Sequence, residues 1–159
     1  MTVDVALGRV DDPGVAELLA THLDHMRLIT PPEFVFAFDA TALAAPRVSF
    51  FTARVGDELV GCGALAQLDD EQGEIKSMHV RESARGRGIA GALLARVEER
   101  AAELALRTLW LETGVTEHFA AAQALYRAHG YHACGPFGTY ADNGHSAFFT
   151  KSLDGDAVR

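Results

Sequence analysis

Cysteine is scarce: Cys62 and Cys134 are the two in 159 residues, too few for a disulfide framework or a thiolate metal cage. Long apolar runs are missing too. None approaches the roughly 20 residues that span a bilayer, so no membrane partner is expected. Met1-Thr2-Val3-Asp4 shows no basic region leading into an apolar one, so no signal peptide is expected either. Basic residues are the minority, 14 against 22 acidic, and the net charge is -8. That balance argues against general nucleic-acid binding, which needs a basic face, and suits a cationic small substrate. Disorder as the main state is excluded, because 48% of the residues are apolar. The expectation is a protein of the reducing cytoplasm.

What is present reads as one α/β domain over residues 1–153, with a frayed tail at 154–159. Val3, Val5 and Leu7 alternate as a strand. Asp11-Asp12-Pro13 starts a helix carrying Val15, Leu18, Leu19, His22, Leu23 and Met26 on its apolar stripe, and Thr30-Pro31-Pro32 stops it. Phe34, Phe36 and Phe38 come next, then a short helix over Asp39–Ala45. Val48–Val55 and Glu58–Leu68 make a hairpin around Gly56-Asp57, and Glu74–Val80 is a further strand. The clearest helix, Gly88–Leu106, has Ile89, Leu93, Val97 and Ala101 spaced by four. Thr108–Thr113 is a strand and His118–His129 a helix closed by Gly130. Tyr131–Cys134 and Ser146–Leu153 are the last strands, joined by the loop Gly135–His145. Seven strands and the flanking helices predict a mixed sheet.

The most informative stretch is Arg85-Gly86-Arg87-Gly88-Ile89-Ala90-Gly91, between a strand and a helix. Glycines there let backbone N–H groups face an anion, and the helix dipole and two arginines add positive charge. A pyrophosphate fits that chemistry. One reading is a dinucleotide turn, since Gly86, Gly88 and Gly91 satisfy G-x-G-x-x-G and Glu112 lies downstream at a strand end. Three features oppose it. Arg81–Arg85 separate the strand from the first glycine, Glu74–Val80 is polar at alternate positions, and too little chain remains for further βαβ units.

Arg85-x-x-Gly88-x-Ala90 also resembles the R/Q-x-x-G-x-G/A signature of the GNAT N-acetyltransferase superfamily. Glu74 stands where many members place a catalytic glutamate. Leu125-Tyr126-Arg127-Ala128-His129-Gly130-Tyr131 looks like the family's L-Y-x-x-x-G-[FY] ending. The order of elements matches from about residue 58 to residue 153. One departure stands out: Phe119 occupies the position of a frequent asparagine, seven residues before the tyrosine. The resemblance implies a single-domain GNAT-like α/β fold with a mixed, mostly antiparallel sheet. It implies acetyl-CoA as co-substrate, a small-molecule or peptide amine as acceptor, and direct attack in a ternary complex. It implies that backbone groups of Met78, His79 and Val80 face the cofactor, and that the amides of Arg85, Gly86, Arg87, Gly88, Ile89 and Ala90 hold its pyrophosphate. In the same way Glu74, acting through water, is the expected base, with His79 or a water chain alone as the alternative, and Tyr126 is the expected acid. A homodimer is compatible with the likeness.

Plainer readings of the same residues remain at this level. Glu74 pairs with Lys76 or Arg81 on a surface strand, Tyr126 is core, and Arg85 and Arg87 are a solvated loop. A coenzyme-A-binding protein without turnover is a further alternative. His22 and His25 lack a third ligand for a metal, so none is expected. Cys62 reads as a buried small hydrophobe.

Overall fold

Asp4–Leu7 (β1) pairs antiparallel with Val48–Val55 (β2), which pairs with Glu58–Gln67 (β3) through the Gly56-Asp57 turn. A computed structural model describes residues 2–36 and 38–153, so the 154–159 tail lies outside the described residues. β3 pairs antiparallel with Gln72–Val80 (β4), and β4 runs parallel to Thr108–Gly114 (β5). Along the chain lie helices Val15–Ile29 (α1), Ala40–Leu43 (α2), Ile89–Glu103 (α3) and Ala120–Ala128 (α4). His132–Cys134 (β6) and Ser146–Ser152 (β7) complete a seven-stranded mixed sheet of order β1-β2-β3-β4-β5-β7-β6. Only β4 and β5 are parallel among its described pairs. That removes the dinucleotide reading, which needs a doubly wound parallel sheet.

The sheet buries a different cluster on each face. On one, Ile89, Leu93, Leu94, Val97 and Ala101 of α3 pack with Ile75, Leu109, Leu111 and Phe149. Leu93 and Leu94 are fully buried, so either truncated to alanine would cost about 2–5 kcal/mol. On the other face, Val15, Leu18 and Leu19 of α1 pack with Phe50, Leu59, Cys62 and Ala64.

Local details differ from the sequence reading. No aspartate caps α1. Its N-cap is Gly14 at φ 85, while Asp12 accepts the Arg9 N–H in the preceding turn. Asp39 does cap α2, accepting from the Ala42 N–H at 2.9 Å. The expected helix from His118 begins as a 3-10 turn at Glu117–Phe119 and becomes α-helical at Ala120. β4 starts two residues early, at Gln72.

Two irregularities in β4 open the sheet at this strand. Its register with β3 jumps from Ala64↔Lys76 to Cys62↔His79, so Ser77 and Met78 together face Gly63. This is a β-bulge, with Ser77 at φ 56, a conformation a serine adopts only under constraint. The Cys62 thiol donates to the Ser77 carbonyl at 3.3 Å. Pairing of β4 with β5 ends at Ile75↔Leu111, and beyond that pair the sheet forks.

Candidate active site

A cavity of about 480 Å3 runs through the region of the fork. Met78, His79 and Val80 line it from β4, and Phe119, Ala122, Leu125 and Tyr126 from the α4 side. Arg85, Gly86, Gly88, Ile89 and Ala90 close it at the start of α3. All the expected cofactor residues therefore meet there except Arg87, which is exposed and outside the lining. Gly86 and Gly88 have φ 78 and 80, the left-handed geometry that glycine adopts freely. A Cβ on either would meet nothing within 4 Å, so the backbone angle and not crowding selects glycine. The turn presents the first N–H groups of α3, which have no partner within the helix. Arg85 is tethered there by its Nε, which donates to the Val80 carbonyl at 3.1 Å.

Tyr126 is buried against Tyr131 and Phe149 while also lining the cavity. Burial, helped by the Glu112 charge, pushes its hydroxyl well above the ordinary tyrosine range. It stays protonated and able to donate at any physiological pH. Phe119, in place of the frequent asparagine, lays its ring over Gly114, where a Cβ would collide with it.

Glu74 is elsewhere. It lies with Lys76 on the opposite sheet face from Ile75, and neither lines the cavity. Both are buried. Lys76 Nζ is 3.4 Å from Glu74 Oε2 and donates to the Phe36 carbonyl at 2.8 Å and the Tyr140 hydroxyl at 2.9 Å. The Tyr140 hydroxyl donates to Glu74 Oε2 at 2.6 Å. The partner expected for a surface carboxylate, Lys76, is thus present, but in the interior.

Two of the three phenylalanines, Phe36 and Phe38, cover this cluster, and Phe34 lies to one side. Phe34 stacks on His145, Phe36 meets Tyr140 edge-on, and Phe38 lies 4.5 Å from Lys76 Nζ. Phe137 and Phe148 pack against Tyr140, and Trp110 stacks on Phe137. Glu112 faces the same side, with its Oε2 accepting from Ser146 Oγ at 2.6 Å. Tyr140 and Ser146 carry no signal in the sequence, since their partners lie 66 and 34 residues away. Glu112 stands out in the sequence only as the acid of a dinucleotide turn.

Three histidines reach the cavity from α1 and β4: His22, His25 and His79. The rings of His22 and His79 are 4.9 Å apart, and His22 Nδ1 and His79 Nε2 are buried without a hydrogen-bond partner among the described residues. Burial, then nearby positive charge, pushes His22 down to about 4 and His79 to about 3. No cluster of three metal-ligating side chains occurs among the described residues. Burial pushes the Cys62 thiol up to about 12, so it is no nucleophile. No described helix is long and apolar enough to cross a membrane.

Known proteins match this architecture. Residues 15–131 fit the model of the acetyltransferase (GNAT) family. The chain is 40% identical over 139 residues to the uncharacterized N-acetyltransferase YsnE of Bacillus subtilis, covering 87% of this chain and 92% of that one. It is 42% identical over 125 residues to the IAA acetyltransferase of Azospirillum brasilense, covering 77% and 80%. A GNAT family acetyltransferase of Elizabethkingia anophelis, solved with acetyl-CoA bound, superposes with a TM-score of 0.69 at 21% identity, over 95% of this chain and 98% of that one. Fold and site together define an enzyme that transfers acyl groups. The chain belongs to the GNAT acetyltransferase family and is an N-acetyltransferase.

Proposed function

We propose that the protein moves an acetyl group from acetyl-CoA to a primary amine of a small molecule or peptide, by direct attack within a ternary complex. The observation that carries this is the cavity joining the Gly86–Gly88 turn to the β4 arm of the fork. Its two ends suit the two ends of the donor. The glycine turn offers N–H groups and the α3 dipole to the pyrophosphate. The unpaired edge of β4 beyond Ile75 offers main-chain groups to the pantetheine amides, as an added strand would. Met78, Val80, Ile89 and Leu125 give the middle an apolar wall. Bound acetyl-CoA supplies the activated thioester.

The chain's own residues supply the rest. An N–H at the Ser77–Met78 bulge is freed from the regular ladder to stabilise negative charge on the thioester oxygen. Tyr126 donates a proton toward the leaving sulfur. The amine enters from the face carrying Glu74 and Glu112, because the donor fills the other side, so one of these carboxylates takes its proton. No acyl-enzyme is needed, consistent with the inert Cys62. The free thiols Cys62 and Cys134 suit a reducing cytoplasm. Homodimerisation rests on family likeness, and sedimentation would check it.

The test is acetyl-CoA binding by calorimetry, joined to acetyl-CoA consumption across a panel of primary amines. Gly88→Asp should weaken binding at least about tenfold, because it strains φ 80 and sets a negative charge against the pyrophosphate. Unchanged affinity in a folded variant would remove the pyrophosphate assignment.

A further inference from the structure

The site holds two carboxylates in unlike surroundings. We propose that Glu112, and not Glu74, takes the proton from the acceptor amine. This rests on the acetyltransferase reading and sharpens it.

The register gives the first argument. Ile75↔Leu111 is the last β4–β5 pair, so Lys76 and Glu112 are the first residues beyond it, one on each arm of the fork. Glu112 alternates with Leu111 and so shares a face with Trp110 and with Glu74 across the sheet. It therefore stands at the point where an amine from that face meets a thioester lodged in the gap. Glu74 lies two residues deeper on β4, opposite Trp110, where the strands are still paired.

Occupancy gives the second. Glu74 Oε2 already accepts from the Tyr140 hydroxyl and stands 3.4 Å from Lys76 Nζ, beneath a roof that includes Phe36 and Phe38. That oxygen is already engaged, and the carboxylate is buried away from an incoming amine. Glu112 is only half-buried. It accepts from a neutral donor, Ser146 Oγ, itself positioned by Asn143 Nδ2 at 3.3 Å. No cation lies within 4 Å of it among the described residues.

Electrostatics agrees. The groups facing Glu112 are Lys76 and Glu74 on β4, Tyr126 on α4 and Tyr140 in the loop before β7. Burial is the largest influence and holds its carboxyl above the usual range, while Ser146 and Lys76 pull it back. A base raised in this way suits proton abstraction near neutrality. The Glu112 charge is also felt at the Tyr126 hydroxyl across the end of the fork, although Glu112, like Glu74, is not itself part of the cavity lining.

The proton balance is R–NH3+ plus acetyl–S–CoA giving R–NH–acetyl, CoA–SH and H+. Glu112 takes one proton from the ammonium and later releases it to solvent. The nitrogen lone pair forms the C–N bond and the C–S bond breaks. The sulfur receives a proton from Tyr126, which is replenished through water by the second proton the nitrogen sheds.

The test compares pH profiles of kcat/KM for the wild type, Glu112→Gln, Glu74→Gln and Ser146→Ala, using the most active amine of the panel. Glu112→Gln should lose about 10²–10⁴-fold in kcat/KM and its acid limb, with acetyl-CoA affinity kept. Ser146→Ala removes the donor that favours the charged carboxylate, so the acid limb should move to higher pH. Glu74→Gln removes a charge that raises the Glu112 carboxyl, so it should keep an acid limb, moved to lower pH. A Glu112→Gln profile like that of the wild type, or an acid limb unmoved in Ser146→Ala, overturns the assignment. Loss of the limb in Glu74→Gln instead would return the role to Glu74. Should Glu112→Gln fail to fold, Ser146→Ala decides alone. A wild type that acetylates no amine brings down the acetyltransferase reading itself, an outcome distinct from a working enzyme indifferent to position 112.

Discussion

Neutralising position 74 has a structural consequence that activity alone would not show. Glu74 and Lys76 are each buried, and their charges compensate each other. Glu74→Gln keeps an acceptor for Tyr140 but strands the Lys76 ammonium in the interior. The expected loss is about 3 kcal/mol of folding stability, the usual consequence of removing one member of a buried pair. Adding Lys76→Met should recover most of it, and urea denaturation of the three variants would measure the coupling. Tyr126→Phe is the opposite case. The ring packing on Tyr131 and Phe149 survives, so stability should hold, while kcat falls about 10–10³-fold through loss of the donor to sulfur. Full activity in that variant would make Tyr126 a packing residue.

The bulge in β4 is the element on which the cavity depends, and Gly63 is what it rests on. A Cβ at position 63 would run into Met78 Sδ, and Met78 lines the cavity. Methionine is flexible, so Gly63→Ala should cost little stability, under about 1 kcal/mol. The displaced thioether has the cavity to move into, and KM for acetyl-CoA should rise while Tm hardly changes. An unaltered KM would show that Met78 does not border the bound donor. Such elements are unevenly legible in the sequence. The glycine turn and the succession of strands and helices along the chain can be read because glycine, periodicity and spacing are local signals. The bulge cannot, since Ser77 at φ 56 has no composition to mark it and is held by Cys62, fifteen residues away. Phe34, Phe36 and Phe38 carry no such mark either, since what they pack on, Tyr140 and His145 among them, lies about a hundred residues away. The cap of α1 is not where the sequence puts it, because Asp12 closes the turn before the helix and leaves Gly14 to start it.

At the scale of the whole molecule, the two buried histidines set how stability responds to acid. His22 and His79 sit at about 4 and about 3 in the folded chain, against 6.5 for a free imidazole, chiefly because burial penalises their charged forms. The unfolded chain therefore binds more protons between those values, and stability falls as pH falls through that window. With two such groups the slope approaches about 2.7 kcal/mol per pH unit near pH 5. Glu112 acts in the opposite sense. Its carboxyl is raised in the folded chain, so the folded state holds that proton more tightly and gains stability as pH drops toward the ordinary carboxylate range. One group against two leaves the net slope positive with pH. Urea midpoints at pH 7, 6 and 5 should decline in that order. His22→Leu should flatten the decline, since it removes one titrating ring and also relieves His79 of its neighbour's charge. Glu112→Gln should steepen it by removing the opposing group. Midpoints that stay level from pH 7 to 5 would mean that the His22–His79 contact opens to water and both rings titrate as ordinary imidazoles.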